Sequence, residues 1–295
     1  MNGWQAATAA FFIYIAIVAL SLPQLIGRKR RLALAGATAG LLIVALATLR
    51  PQPILNDWLV PPAALLLGYW TSGLLFVAPM PRVERVLLSI DRELSIDAVA
   101  AATPRVLAEL LEFAYAAVYP VIPLALIVYL VAIESPDAAR FWTVILVTDY
   151  ICFGMLPWVQ TRPPRALEPA APWNARLRTL NVRLLGRTSI HVNTFPSGHA
   201  AEALAAALLV SGAPVWIVIL MSSIALAISA GAVLGRYHYA ADVLAGWLVA
   251  SVVWLLVMQG LPVDSSVLPP VTRLSTPSSC SAPSVGGVNT ISLRV

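Results

Sequence analysis

The feature that most restricts this chain is a series of stretches with no Asp, Glu, Lys or Arg, each long enough to cross a lipid bilayer. The first covers everything before Arg28, and others cover 32–49, 58–81, 113–133, 203–235 and 243–263. A further run, 141–158, is interrupted only by Asp149. A helix rising 1.5 Å per residue needs about 20 apolar residues to span the hydrocarbon. The run 203–235 is too long for one crossing, and Ser211-Gly212-Ala213-Pro214 divides it. The pattern therefore predicts eight membrane helices, near 9–26, 32–49, 58–78, 113–133, 141–158, 197–211, 214–234 and 242–260. In lipid, backbone polar groups must be paired within a helix or around a closed barrel. Unbroken apolar runs lack the alternation of barrel strands. The expected fold is thus all-α, a polytopic membrane helix bundle. Arg28, Lys29, Arg30 and Arg31 follow the first run instead of preceding it, so that run reads as a retained span and not as a signal peptide.

Composition agrees. The 295 residues are 59% hydrophobic and 11% charged, against about 45–50% and about 25% in soluble domains. A soluble globular enzyme and a disordered chain are both excluded. The net charge of +5 reads, in a membrane protein, as orientation and phosphate contact and not as nucleic-acid binding. Cys152 and Cys280 are too few for a disulfide framework and read as unpaired. No fixed-period repeat is present.

Between the runs, residues 81–112 are charged and helical in pattern, as expected of an interfacial linker helix. The stretch 159–196 is a long loop rich in Pro and Arg. Residues 261–295, rich in Ser, Pro, Thr and Val, read as a disordered tail. Eight spans put loops 27–31, 79–112, 159–196 and 235–241 on one side of the membrane. That side carries 15 of the 19 Lys and Arg, the other only Arg50, Arg140, Arg273 and Arg294. The positive-inside rule makes the first side cytoplasmic.

All three histidines, His191, His199 and His238, fall at or beside the loops of that same side. Three groups of residues there suit phosphate chemistry. In Phe195-Pro196-Ser197-Gly198-His199, Ser197 is a natural N-cap for an Ala-rich helix. The first amides of such a helix, with its dipole, bind phosphate, and Gly198 lets an anion approach the backbone. A plain helix start has the same pattern. In Gly235-Arg236-Tyr237-His238-Tyr239-Ala240-Ala241-Asp242, His238 and Asp242 stand four apart and share one face of a helix. A carboxylate there fixes the imidazole tautomer and frees the other ring nitrogen as base or nucleophile. A packed histidine satisfied by a carboxylate would look alike. In Gln160-Thr161-Arg162-Pro163-Pro164-Arg165, two prolines stiffen a loop whose arginines match phosphate oxygens. A basic collar touching lipid headgroups is the plainer alternative. The topology places all three groups on one membrane face, where they can converge. Glu202, three residues after His199, faces the same way, and tuning His199 or contacting a headgroup stands level with hydrogen bonding to a neighbouring helix; for Glu112 and Asp149 that hydrogen bonding is the plainer role. Tyr115, Tyr119, Tyr237 and Tyr239 fit an interfacial belt.

Over roughly residues 110–260 the sequence resembles the type 2 phosphatidic acid phosphatase superfamily of integral-membrane lipid phosphatases and phosphotransferases. The resemblance rests on Pro196-Ser197-Gly198-His199, on His238 with Asp242, and on Arg162-Pro163. The forms around Arg162 and His238 are most similar to the inositol phosphorylceramide synthase-like branch. Two family cations are missing: Met155 stands where a Lys is expected, and Gly231-Ala232 where a Ser-Arg pair is. Arg165 and Arg236 lie in the same loops.

The resemblance implies a six-helix phosphatase-type core within 113–260, with residues 1–80 as additional N-terminal transmembrane helices. It implies that His238 is the nucleophile, held by Asp242, and that His199 is the general acid. Arg162, Arg165 and Arg236, with Ser197 and Gly198 at the helix start, would bind the phosphate. The expected activity is metal-independent and cofactor-free hydrolysis of a lipid phosphate or diphosphate in a bilayer, through a phosphohistidine. The second expectation is transfer of a phosphorylated headgroup, such as phosphoinositol, to a lipid alcohol. Different in kind are a zinc site of His191, His199, His238 and Asp242, a transporter, and a catalytically inactive lipid-binding relative. A transporter would place its polar groups near mid-bilayer in broken helices, whereas here they gather at one surface. The expected location is multi-pass in the plasma (inner) membrane. The sequence carries no signal for oligomeric state.

Overall fold

Asn2 starts the first helix, α1 (Gly3–Ser21). Its side chain accepts the Gln5 amide N–H while the Gln5 side chain accepts that of Asn2, a reciprocal capping box. The computed structural model describes residues 1–50, 52–168, 172–190 and 192–259. After α1 come α2 (Gly27–Leu49), α3 (Pro53–Trp58), α4 (Val60–Gly73), α5 (Pro81–Glu93), α6 (Ile96–Ala102) and α7 (Arg105–Ala116). The rest are α8 (Val118–Ala132), α9 (Ala138–Gly154), α10 (Pro164–Leu167), α11 (Arg176–Thr188), α12 (Gly198–Leu209), α13 (Val215–Leu234) and α14 (Ala240–Met258). The 261–295 tail, Cys280 and His191 lie outside the described residues.

The fold is the all-α polytopic bundle that the apolar runs predict. Each of the eight predicted stretches holds a helix: α1, α2, α4, α8, α9, α12, α13 and α14. Their lengths differ from expectation. Only α1, α2, α13 and α14 are individually long and apolar enough to cross a membrane, and α7 with α8 forms a fifth candidate bent by 66°. The bend falls where Pro120 has no N–H to give the Ala116 carbonyl and crowds it with its ring. Helices α4, α9 and α12 have 14, 17 and 12 residues, less than a full crossing. For α12 the reason is its position. It packs against α8, α9, α13 and α14, and Ala200, Ala201, Ala203, Ala205, Ala206 and Ala207 are all buried. An interior helix is not required to match the bilayer, and its small side chains let four neighbours approach.

The charged stretch 82–112 is not one helix. Ser95, at φ 55, and the Thr103-Pro104 break divide it into α5, α6 and α7. On the N-terminal side, α1 packs against α2 and α9, and α4 against α2 and α9. Large apolar side chains such as Ile17, Leu46, Val131, Trp216 and Leu248 point outward, the surface that lipid covers. Cys152 is buried and unpaired.

Candidate active site

The two imidazoles meet at the junction of α12 and α14. Ser197 caps α12, its hydroxyl accepting the Ala200 N–H at 3.4 Å, and its own amide donates to the Asp242 carbonyl at 2.9 Å. The start of α12 is thereby tied to the start of α14. A Cβ on Gly198 would lie 3.1 Å from Phe153 Cε1 and 3.3 Å from Asp149 Oδ1, so a bare Cα lets α9 close against this turn. His199 follows, half-buried, its ring 5.7 Å from that of Tyr115 and 5.9 Å from that of His238. Two rings at that separation can touch one anion.

His238 and Asp242 come together by another route than a shared helix face. His238 precedes the helix, whose N-cap is Tyr239. Asp242 sits in the first turn, and its Oδ2 accepts the Tyr239 N–H at 3.0 Å. The same oxygen lies 3.4 Å from His238 Nδ1 and accepts from Asn193 Nδ2 at 2.8 Å. Asp242 is thus a capping residue that also faces an imidazole. Burial, with the Arg165 charge nearby, pushes the His238 imidazole down to about 3, so it is neutral at ordinary pH. On the far side of the same helix start, Asp91 Oδ1 accepts the Ala240 N–H at 2.9 Å, and burial raises its carboxyl to about 6.

The arginines separate into two kinds. Arg165 lines a small cleft together with His199, His238, Tyr115, Tyr237 and Thr194. Its guanidinium lies 5.1 Å over the Tyr237 ring, and Nη1 is 3.4 Å from the Tyr237 carbonyl. Arg162 instead grips Glu84 of α5 with Nε at 3.0 Å and Nη2 at 2.8 Å, its own amide adding a third bond at 2.9 Å. This holds the Glu84 carboxyl below the usual carboxylate range. Arg236 pairs with Asp97 of α6 and with Glu168. Arg162 and Arg236 therefore tie the site loops to α5 and α6, and Arg165 alone of the three borders the cleft between the imidazoles.

Residues that the motifs do not contain complete the site. Asn193 donates to Thr161 Oγ1 at 3.0 Å as well as to Asp242, and its amide donates to the Thr161 carbonyl at 2.9 Å. It joins the 159–163 loop to α14. A single Asn in a polar loop reads as a turn residue, and no spacing marks it. Glu112, fully buried on α7, accepts from Trp173 Nε1 at 2.8 Å, Asn181 Nδ2 at 2.7 Å, Arg178 Nη1 at 3.3 Å and the Tyr237 hydroxyl at 2.6 Å. Tyr237 stacks on Tyr115 at 4.1 Å. The interfacial-belt reading is corrected for three tyrosines: Tyr115, Tyr237 and Tyr239 are buried, and Tyr119 alone is exposed. The Tyr239 hydroxyl explains its position by donating to the Arg162 carbonyl at 2.8 Å. Among the described residues no group of three or more His, Cys, Asp or Glu has metal-holding geometry; His191 lies outside them.

Beside the cleft lies a larger cavity of about 440 Å³, bounded by α4, α8 and α9, and Tyr69 and His199 border both spaces. Trp58, Leu66 and Trp70 at its edge are exposed on the side of the bundle. A chemically mixed site results: imidazole and guanidinium line the cleft, and an apolar chamber adjoins it. No curated protein and no solved structure matches the chain. The family model for the PAP2 superfamily matches residues 80–256, from just before α5 to within α14, a span that holds Arg162, Arg165, Asn193, His199, His238 and Asp242 but not Tyr69.

Proposed function

The chain belongs to the PAP2 superfamily, and on that footing we propose that it removes phosphate from a lipid phosphate or diphosphate through a phosphohistidine on His238. The observation that carries this reading is the 5.9 Å approach of the His199 and His238 rings beside Arg165. Asp242 faces Nδ1 of His238, leaving Nε2 for attack on phosphorus. As the N–P bond forms, the ester P–O bond breaks, and His199 gives its proton to the departing alkoxide. Water then loses a proton to His199 and attacks phosphorus, the N–P bond breaks, and phosphate leaves. Arg165 and the start of α12 at Gly198 neutralise the phosphoryl oxygens, while the Ser197 amide, bonded to the Asp242 carbonyl, holds that helix start in place. Arg162 and Arg236 act through Glu84, Asp97 and Glu168, holding the loops that carry Arg165 and His238. In this reading α5 and α6, within the 81–112 linker, brace the loops of the 113–260 core, and 1–80 are added membrane helices.

Transfer to a lipid alcohol shares the first half of this chemistry. The apolar cavity bordering His199 favours it as the second reading, because an alcohol seated there would reach the same base as water. It also agrees with the inositol phosphorylceramide synthase-like motif forms. We place the protein in the plasma (inner) membrane on its eight apolar helices and basic loops.

The test is phosphate release from lipid phosphates and diphosphates by purified protein in the presence of chelator, with lipid alcohols added in a parallel series. Free phosphate supports hydrolysis and a new phospholipid supports transfer. His238→Ala should abolish turnover. His199→Ala should lose about 10²–10⁴-fold. More than about a tenth of the wild-type rate in either variant overturns the assignment.

A further inference from the structure

Two carboxyls sit inside the bundle where the proposed mechanism does not use them. Asp149 of α9 is fully buried and Glu202 of α12 is 9% exposed. A Cβ on Gly198, one turn before Glu202 on α12, would lie 3.3 Å from Asp149 Oδ1, so the two acids sit at the same contact between α9 and α12. Neither Asp149 oxygen has a hydrogen-bond partner among the described residues. Both side chains line the 440 Å³ cavity, whose other walls are almost wholly apolar, with Leu65, Trp70, Ile122, Leu126 and Phe153 among them. Buried acceptors without donors are costly, and apolar residues of similar size would pack there more cheaply. The pair is therefore built to receive a donor that enters from the cavity.

Its position says what kind. Glu202 follows His199 by three residues on one helix, so it lies on the same face, about 4.5 Å deeper by helical rise. A lipid whose phosphoryl group meets His199 and His238 sends its backbone past this point before its chains reach the apolar wall. We propose that Asp149 and Glu202 form a recognition subsite for a hydrogen-bond-donating group, a hydroxyl or an amide N–H, on the second or third backbone carbon of the lipid. This rests on the reading of His238 and His199 as the phosphoryl site, and it narrows the substrate class. Lipids with such a donor bind with the pair satisfied. Lipids carrying only ester carbonyls present acceptors to acceptors and leave it unsatisfied. A site built to bond a donor discriminates strongly against an analogue that lacks one.

The experiment compares two phosphate monoesters in mixed micelles: ceramide 1-phosphate, which carries an amide N–H and a hydroxyl, and a diacyl phosphatidic acid, which carries neither. Wild type should favour the first in kcat/KM by at least about tenfold. In Asp149→Leu with Glu202→Leu the ratio should fall toward one. In Asp149→Asn with Glu202→Gln, which keeps the shape and adds N–H donors, it should fall further and favour the ester lipid. A wild-type ratio near one, or a ratio that neither double variant moves, overturns the subsite while leaving the catalytic assignment intact. If wild type hydrolyses neither monoester, the subsite is judged by binding, and the catalytic reading by the diphosphate and transfer assays. A larger rise in melting temperature with ceramide 1-phosphate than with phosphatidic acid, lost in the Leu variant, upholds it, and equal shifts sink it.

Discussion

Glu112 and the Asp149–Glu202 pair are all buried acids, and they are treated in opposite ways. Glu112 receives donors from Trp173, Asn181, Arg178 and Tyr237, drawn from two segments remote in sequence. Asp149 has only a second acid for company. A buried charge that is fully bonded organises its surroundings, because every donor around it needs it. A buried acid left with spare acceptors organises nothing and is costly to keep. The first is thus architecture, holding the Tyr237 ring under the Arg165 guanidinium. The second has the character of a docking point.

The contrast is broken most directly by removing Glu112. Glu112→Ala orphans the Trp173 and Tyr237 donors and leaves the buried Arg178 with only the Gly235 carbonyl, and should cost about 3–5 kcal/mol in detergent melting. A loss under about 1 kcal/mol would mean that the cluster is not architectural. The next largest effect comes from pH. His238 is held near 3 by burial and Arg165, against about 6.5 in an unfolded chain. Between those values the unfolded state takes up a proton that the folded state refuses, so stability falls as pH drops from about 6.5 toward 3 and is unaffected above. Melting at pH 7 and pH 4.5 should differ by about 2–3 kcal/mol more in wild type than in His238→Asn; equal differences would show that the imidazole titrates normally. Tyr237→Phe, which deletes one donor to Glu112 and keeps the stack on Tyr115, should cost about 1.5–3 kcal/mol. At the small end, Asp149→Leu with Glu202→Leu should leave the melting temperature unchanged or raise it. A loss matching that of Glu112→Ala would erase the distinction between the two acids.

Much of the scaffold was legible because periodicity and charge are local. Every predicted apolar run holds a helix, and the break at Ser211–Pro214 falls between α12 and α13 as the residues suggest. The bend between α7 and α8 was written in Pro120 but hidden by the apolar run that surrounds it. The short α12 was not legible, since its length is set by four neighbours and not by its own residues. In the site, the histidines and arginines that draw attention do so by type. Their geometry depends on contacts that no spacing announces. Glu84 is 78 residues from Arg162, and Asp97 is 139 from Arg236. Those ion pairs decide which guanidinium is left facing the cleft. Asn193 and the tyrosine stack escaped for the same reason, because a loop Asn and an aromatic near a membrane surface each have a commonplace role.

His199 and Tyr69 stand on the wall between two compartments, one polar and near the loops, the other opening sideways past Trp58, Leu66 and Trp70. On the proposed reading, a lipid phosphate cut at that wall would leave its apolar part in the chamber and its anion in the polar cleft, so the two products could part without passing each other.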